Sequence, residues 1–446
     1  MKPGRMTTPL QQSVPRPRTI RHLRPLLACL GLLGLLAINW LYLDSQRQHY
    51  RLFTVKDFSH HGWLAGRIVL GGGDPYQSRA WLRSHWTPEY EQEIGYAYVT
   101  GQITYAIPTR PGTVYNPEKL SDFVYPLWVA YVFSPFALVS VQWALALMML
   151  LDEIALLIAV WCACRLLNFR PQPQWTVILL LLVFGFYPTL RVLQEGGFTL
   201  PVLAAFLAAV ALIRERRLPW LAGLLLALCT IKIQLVAIPF VFVGIWLLRQ
   251  RCYAVIAAAA LTAGVLWGVP TLLTPGWVAE WLPIVRLGNP TVYIQPTLWS
   301  LWVTFLGPYW WIVGSIVTSL LFVGLLWYWR ADWRTGQWNT LPATFIIALP
   351  MTLFSWDYDQ VFLLLPWLAC WATAATGEAG SARLWRYVLI LWILLLPLYS
   401  LLPIPRNQQQ TYGLLLPATL LILYYQAHRP APTATLQQAV QAGGRG

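Results

Sequence analysis

One stretch concentrates the residues that could do chemistry. It holds the carboxylate Asp57, the histidines His60 and His61, and the run Gly71-Gly72-Gly73-Asp74-Pro75-Tyr76. A carboxylate or an imidazole can act as a general base. Phe58 to Leu70 reads as a short helix. Phe58, Ala65, Ile68 and Val69 fall near one face, so the helix is expected to lie on a membrane surface. Asp57 stands at the N-cap and Gly71 at the C′ position. Two readings follow from that placing. In the plainer one, Asp57 only caps a helix and Asp74-Pro75-Tyr76 only makes a turn. In the sharper one, Asp57 is a general base held at the membrane by its helix.

The elements that must position this stretch are membrane helices. The chain has 446 residues, 57% hydrophobic and only 11% charged, which excludes a soluble globular protein of this length. It reads as an all-α polytopic membrane protein of about 11–13 membrane helices. The net charge of +14 comes largely from arginines in short loops, where they set orientation, and does not point to nucleic acid. The 26 tryptophans suit an aromatic belt. The cysteines Cys29, Cys162, Cys164, Cys229, Cys252 and Cys370 lack zinc spacing, so neither a metal site nor a disulfide framework is read. No P-loop or strand-linked GxGxxG is present, so ATP is not indicated.

Charge alternation gives the path. Residues 1–25 form a cytoplasmic basic tail and residues 429–446 a cytoplasmic polar tail, flanking a membrane domain over 26–428. Leu26 to Leu43 is a span rather than a signal peptide. Residues 44–121 are the first extracytoplasmic loop, with surface helices, and 274–296 the second. Phe123 to Leu167 must cross an odd number of times, so one part is re-entrant or broken near Ser134-Pro135. Trp175 to Leu193 crosses to the outer turn Gln194-Glu195-Gly196-Gly197, and Leu200 to Ile213 returns. Pro219 to Leu248 leaves and comes back as two short halves. Leu298 to Trp329 breaks at Gly307-Pro308. The turn Trp356-Asp357-Tyr358-Asp359 lies outside.

That path gathers Asp57, His60 and His61; Arg191, Gln194 and Glu195; Arg286; and Asp357 with Asp359 at the outer face. Lys232 joins them, roughly 20 Å along its helix from Leu218. An ammonium at that depth either snorkels or faces protein, water or an anion. Asp152-Glu153, inside an apolar run, is either a polar contact between helices or a proton-coupling group.

The order of motifs resembles glycosyltransferase family 87. Asp57-Phe58 followed by Gly72-Gly73-Asp74-Pro75-Tyr76 looks like its first-loop signature. Phe123-Val124-Tyr125-Pro126-Leu127 looks like its F-x-Y-P-P, with Leu127 for the second proline. Gln194-Glu195-Gly196-Gly197 stands where the family has G-Q-x-N. Ala222-Gly223-Leu224 to Ile231-Lys232-Ile233-Gln234 looks like its glycine-to-lysine helix, and Ser355-Trp356-Asp357-Tyr358-Asp359 its late outer turn. The resemblance runs from Lys56 to about Trp367. It implies a GT-C-type enzyme of the plasma membrane that moves a hexose, mannose first, from a polyprenyl-phosphate donor to a lipid or glycan acceptor, with inversion. It implies Asp57 as base and Lys232 at the donor phosphate. Arg191, His60, His61, Asp74, Tyr76, Gln194, Tyr358 and Asp359 are the other expected substrate contacts. No cofactor is expected; the form Asp357-Tyr358-Asp359 leaves a divalent metal open. The rival reading is a transporter or flippase, favoured by Asp152-Glu153.

Overall fold

The computed structural model describes residues 32–45, 58–78, 81, 84–85, 123–287, 295–376, 386–394 and 413–427. Both tails, Asp57 and most of the loop 44–121 lie outside the described residues. The described residues are mostly helical, without a strand, as expected of an all-α polytopic membrane protein.

Helix α1 is Leu32–Ser45. A π-turn, Ser59–Leu64, leads into α2, Ala65–Leu70. Helix α3 is Leu127–Phe133 and continues as a 3-10 turn, Ser134–Leu138. Helix α4, Val141–Leu166, is long enough to cross; α3, with seven residues, rises only about 10 Å and is not. The α-helix gives way to the 3-10 turn at Ser134-Pro135, where proline removes a helix donor, and the chain leaves helical geometry just after it, at the extended residues Val139 and Ser140. Glu153 of α4 accepts a hydrogen bond from Asn39 of α1 at 3.3 Å, the interhelical contact foreseen as one reading of Asp152-Glu153.

Helices α5, Pro173–Gly185, and α6, Tyr187–Glu195, meet at a 58° bend. Phe186 is extended there, with Pro188 opening the second helix. Helix α7 is Thr199–Arg214. Then come α8, Pro219–Leu228, a 3-10 turn Cys229–Lys232, and α9, Ile233–Arg249. The run Pro219–Arg249 has the length and hydropathy of one span. Its path is not that of one span. A straight helix would put Arg249 about 39 Å from Gly223. Yet α10, Tyr253–Leu273, begins four residues after Arg249, and a Cβ on Gly223 would meet Ala258 Cβ and Ala259 N at 2.6 Å. The run therefore turns back on itself at Lys232, whose φ of −123° and ψ of 60° leave the helix, as the charge alternation foresaw.

The chain continues as α11, Trp277–Leu287; α12, Leu298–Leu306; and α13, Trp310–Tyr328, with the break at Gly307-Pro308 present as a 3-10 turn. Helices α14, Arg330–Thr335, and α15, Leu341–Met351, precede a 3-10 turn, Asp357–Leu363, and α16, Leu364–Thr376. Helix α17 is Leu415–Ala427.

Arginines gather at one end of the bundle, where helices stop in left-handed turns. Asn168, Arg216 and Arg251 have φ of 51°, 54° and 56°. Phe169 N, Arg217 N and Cys252 N donate back to Cys164 O, Leu212 O and Leu247 O at 2.8, 3.0 and 2.9 Å, closing the last carbonyls. Helix α4 is central, with 61% of its apolar window buried, while α10 and α13, at 11%, face outward as lipid-exposed helices must.

Two expectations for the first-loop helix change. Its apolar face is not turned to lipid: Phe58, Trp63, Leu64, Ala65 and Ile68 are buried against α3, its 3-10 turn and α4. An apolar face shows only that something covers it, and here the cover is protein. The left-handed stop is Gly72, φ 71°, with Gly73 N donating to Ile68 O at 2.8 Å; Gly71 is the C-cap before it.

Candidate functional site at the end opposite the arginines

Lys232 sits at the apex of the α8–α9 hairpin and is 1% exposed. It does not snorkel. Its Nζ donates to Asp359 Oδ1 at 3.0 Å and to Thr199 Oγ1 at 2.9 Å. Thr199 in turn donates to Asp359 Oδ1 at 2.8 Å, and Trp356 N donates to Asp359 Oδ2 at 2.9 Å. The ammonium also lies 4.7 Å from the ring centroid of Tyr358. An ion pair this buried holds only with such added bonds, because desolvation of each charge is costly.

Arg191 of α6 stands beside this pair and keeps a third of its side chain exposed. Its Nε donates to Asp357 Oδ2 at 3.2 Å, its Nη2 pairs with Glu195 Oε1 at 3.0 Å, and its Nη1 reaches Gln194 Oε1 at 3.4 Å. Tyr187 OH donates to Asp357 Oδ2 at 3.0 Å. The two carboxylates of Asp357-Tyr358-Asp359 are thus turned to different cations, Arg191 and Lys232. Among the described residues no group of three or more His, Cys, Asp or Glu is placed to hold a metal ion.

A second group forms around the first-loop turn. Asp74 accepts from Tyr76 N at 2.9 Å and caps the turn Pro75–Gln77. Tyr76 OH donates to Tyr125 O at 2.9 Å, and its ring stacks on Trp277 at 6.4 Å. Burial, with the charges of Asp74 and Glu280, pushes the Tyr76 phenol up. Glu280 of α11 shares a hydrogen bond with Asp74; that bond, some burial and the Asp74 charge push its carboxyl up to about 7, against a bond from Gln77. His61 packs edge-on to Tyr125, centroids 5.2 Å apart.

Phe198 joins the two groups. Its ring meets Tyr125 at 5.2 Å and Phe58 at 5.9 Å, and the next residue is Thr199. Phe58 also fills the space over Gly196, whose φ of 63° ends α6; a Cβ there would stand 3.6 Å from Phe58 Cβ. Lys232, Arg191, Gln194, Tyr358 and Asp359 are therefore brought together, with Asp74, Tyr76 and His61 joined to them through an aromatic wall. Asp57 and the side chains of His60 and Arg286 lie outside what the structure describes.

The region of the chain that matches a family model is 123–355, more than half of it, and the model is that of glycosyltransferase family 87. The chain belongs to glycosyltransferase family 87. The match takes in Arg191, Thr199 and Lys232 and stops one residue short of Trp356. Comparison with the curated proteins and with the solved structures finds no match. A family 87 member with several apolar helices is a membrane glycosyltransferase, which needs a sugar donor, an acceptor and a bilayer. That places it among transferases rather than transporters.

Sequence reasoning missed Thr199, Tyr187 and Glu280. Thr199 and Tyr187 matter through partners 160 and 170 residues away, which spacing cannot show. Glu280 carried a usable signal: it is the only carboxylate between Thr274 and Gln295.

Proposed function

We propose that this enzyme transfers a hexose, with mannose the first candidate, from a polyprenyl-phosphate donor to a lipid or glycan acceptor, inverting the anomeric carbon, with Asp57 as general base. The reaction end faces outward in this reading, because the arginine end is held in the cytoplasm. The observation that carries it is the convergence at one end of the bundle. The residue bonded to Asp57, Phe58, is buried at the turn that separates Arg191 from Thr199 and so from Lys232.

In the proposed step the acceptor hydroxyl gives its proton to the Asp57 carboxylate while its oxygen bonds to the anomeric carbon. The bond from that carbon to the phosphate oxygen breaks, and the polyprenyl phosphate leaves with the electron pair. Developing negative charge there needs cations already in place. Arg191, partly exposed and fixed on three sides, is open to an incoming headgroup. Lys232 acts from behind it, immobilised by Asp359 and Thr199. One leaving phosphate with two cations needs no metal clamp in this scheme.

The test is purified enzyme in proteoliposomes without an ion gradient. Polyprenyl-phosphate mannose should yield a glycosylated acceptor, and a nucleotide sugar should not. Transfer from the nucleotide sugar alone would overturn the donor assignment.

A further inference from the structure

The arginine end carries a cavity that sugar transfer does not use. It has a volume of about 450 Å³ and lies between the end of α4 and the end of α7, lined by Arg165, Arg170, Arg214, Phe169 and Glu215 among others. A second hollow of about 470 Å³ opens beside it toward Trp161. These volumes are in the range of small-molecule sites. Three arginines against one glutamate leave the lining with two net positive charges.

Its walls are fixed. Arg214 Nη1 donates to Leu166 O at 2.6 Å and to Arg165 O at 3.1 Å, and its Nη2 to Asn168 Oδ1 at 2.9 Å. Those bonds quench the negative end of α4, which would otherwise repel an anion. Arg165 is held by Glu215 at 2.6 Å and lies 4.9 Å from the Trp161 ring centroid. Arg170 is exposed, lines both hollows, and makes no hydrogen bond or ion pair among the described residues. The outward face of α4 just below is apolar: Leu157, Ile158 and Trp161 are 43%, 42% and 58% exposed. A fixed basic hollow above a lipid-facing stripe matches a molecule with an anionic head and acyl tails.

We propose that this cavity binds the phosphate headgroup of an anionic membrane lipid, with Arg170 as its free anchoring cation. The site stands at the opposite end of the bundle from the transfer site and does not depend on the donor assignment. It differs from general attraction of the basic end to an anionic surface, which would spread over all exposed arginines there. Arg334, exposed at the same end and outside the cavity, is the comparison.

The experiment measures the thermal unfolding midpoint of the full chain in detergent against added phosphatidylglycerol, with phosphatidylcholine and inorganic phosphate as separate arms. Native mass spectrometry counts the lipids retained. Phosphatidylglycerol should stabilise the chain and phosphatidylcholine should not. Arg170→Gln should raise the half-saturating concentration about tenfold, the loss of one charge-assisted contact. Arg334→Gln should leave it unchanged. Arg170→Lys, which keeps the charge, should stay closer to the parent than Arg170→Gln and guards against a folding defect. Equal shifts in Arg170→Gln and Arg334→Gln, or none in either, would overturn the site. Equal stabilisation by inorganic phosphate would overturn the lipid as source and leave a soluble anion in its place.

Discussion

Asp57→Asn separates the two roles open to Asp57 because asparagine still caps a helix but cannot take a proton. A cap alone predicts near-normal turnover and a stability loss of about 1 kcal/mol or less. A general base predicts a normally folded protein with a rate lower by roughly 10²–10⁴. Asp57→Ser, a good cap and no base, should lose rate equally; turnover at parental level in both would remove Asp57 from the chemistry. Lys232 calls for a different design. Lys232→Met leaves Asp359 charged and uncompensated, a loss of about 3–5 kcal/mol. Lys232→Met with Asp359→Leu should recover much of that stability while transfer stays abolished. If the double variant transfers sugar, the pair is structural only. The depth of Lys232 was legible from its distance to Leu218, but its counter-ion was not, because Asp359 lies 127 residues further on.

At the scale of elements, the first-loop turn is docked on α11 through Asp74, Glu280 and the Tyr76–Trp277 stack. A Glu280 carboxyl raised from 4.5 to about 7 favours the protonated form in the folded protein. Its stabilising effect is fully present below the unfolded value and is lost as pH rises through about 7. The unfolding midpoint should therefore fall as pH rises from 4.5 to about 7, and Glu280→Gln should flatten that slope. An unchanged slope in Glu280→Gln would assign the dependence elsewhere. The α8–α10 contact gives a second prediction. Gly223→Val drives a side chain into Ala258 and the backbone of Ala259, and should cost about 1–3 kcal/mol by thermal unfolding. The hairpin of α8 and α9 was legible because arginines flank both its ends. The burial of α2 was not, since periodicity marks an apolar face without saying what meets it.

For the whole molecule, the proposed orientation puts the arginine end in the cytoplasm and the transfer end outside. Ser84 lies with the first-loop turn and Asn339 with the arginine end, and both are exposed. In a background without other reactive thiols, Ser84→Cys should react with an impermeant reagent in intact cells, and Asn339→Cys only after lysis. The reverse pattern would put the transfer site in the cytoplasm. The helical class was legible because bilayer thickness acts on every segment alike. The wall formed by Phe58, Tyr125 and Phe198 was not, because three distant segments build it.

The Lys232–Asp359 pair also bears on how the protein is made. The ribosome delivers Lys232 well before its counter-ion. At ~5–20 residues per second, the 127 residues from Lys232 on to Asp359 take about 6–25 s. During that interval the hairpin apex carries a bare ammonium, which is costly in hydrocarbon. The nascent hairpin must wait near water, or borrow another acid, until the 3-10 turn Asp357–Leu363 arrives. Release of chains truncated just before Asp357 should leave α8 and α9 accessible to protease, whereas chains extended past Leu363 should bury them.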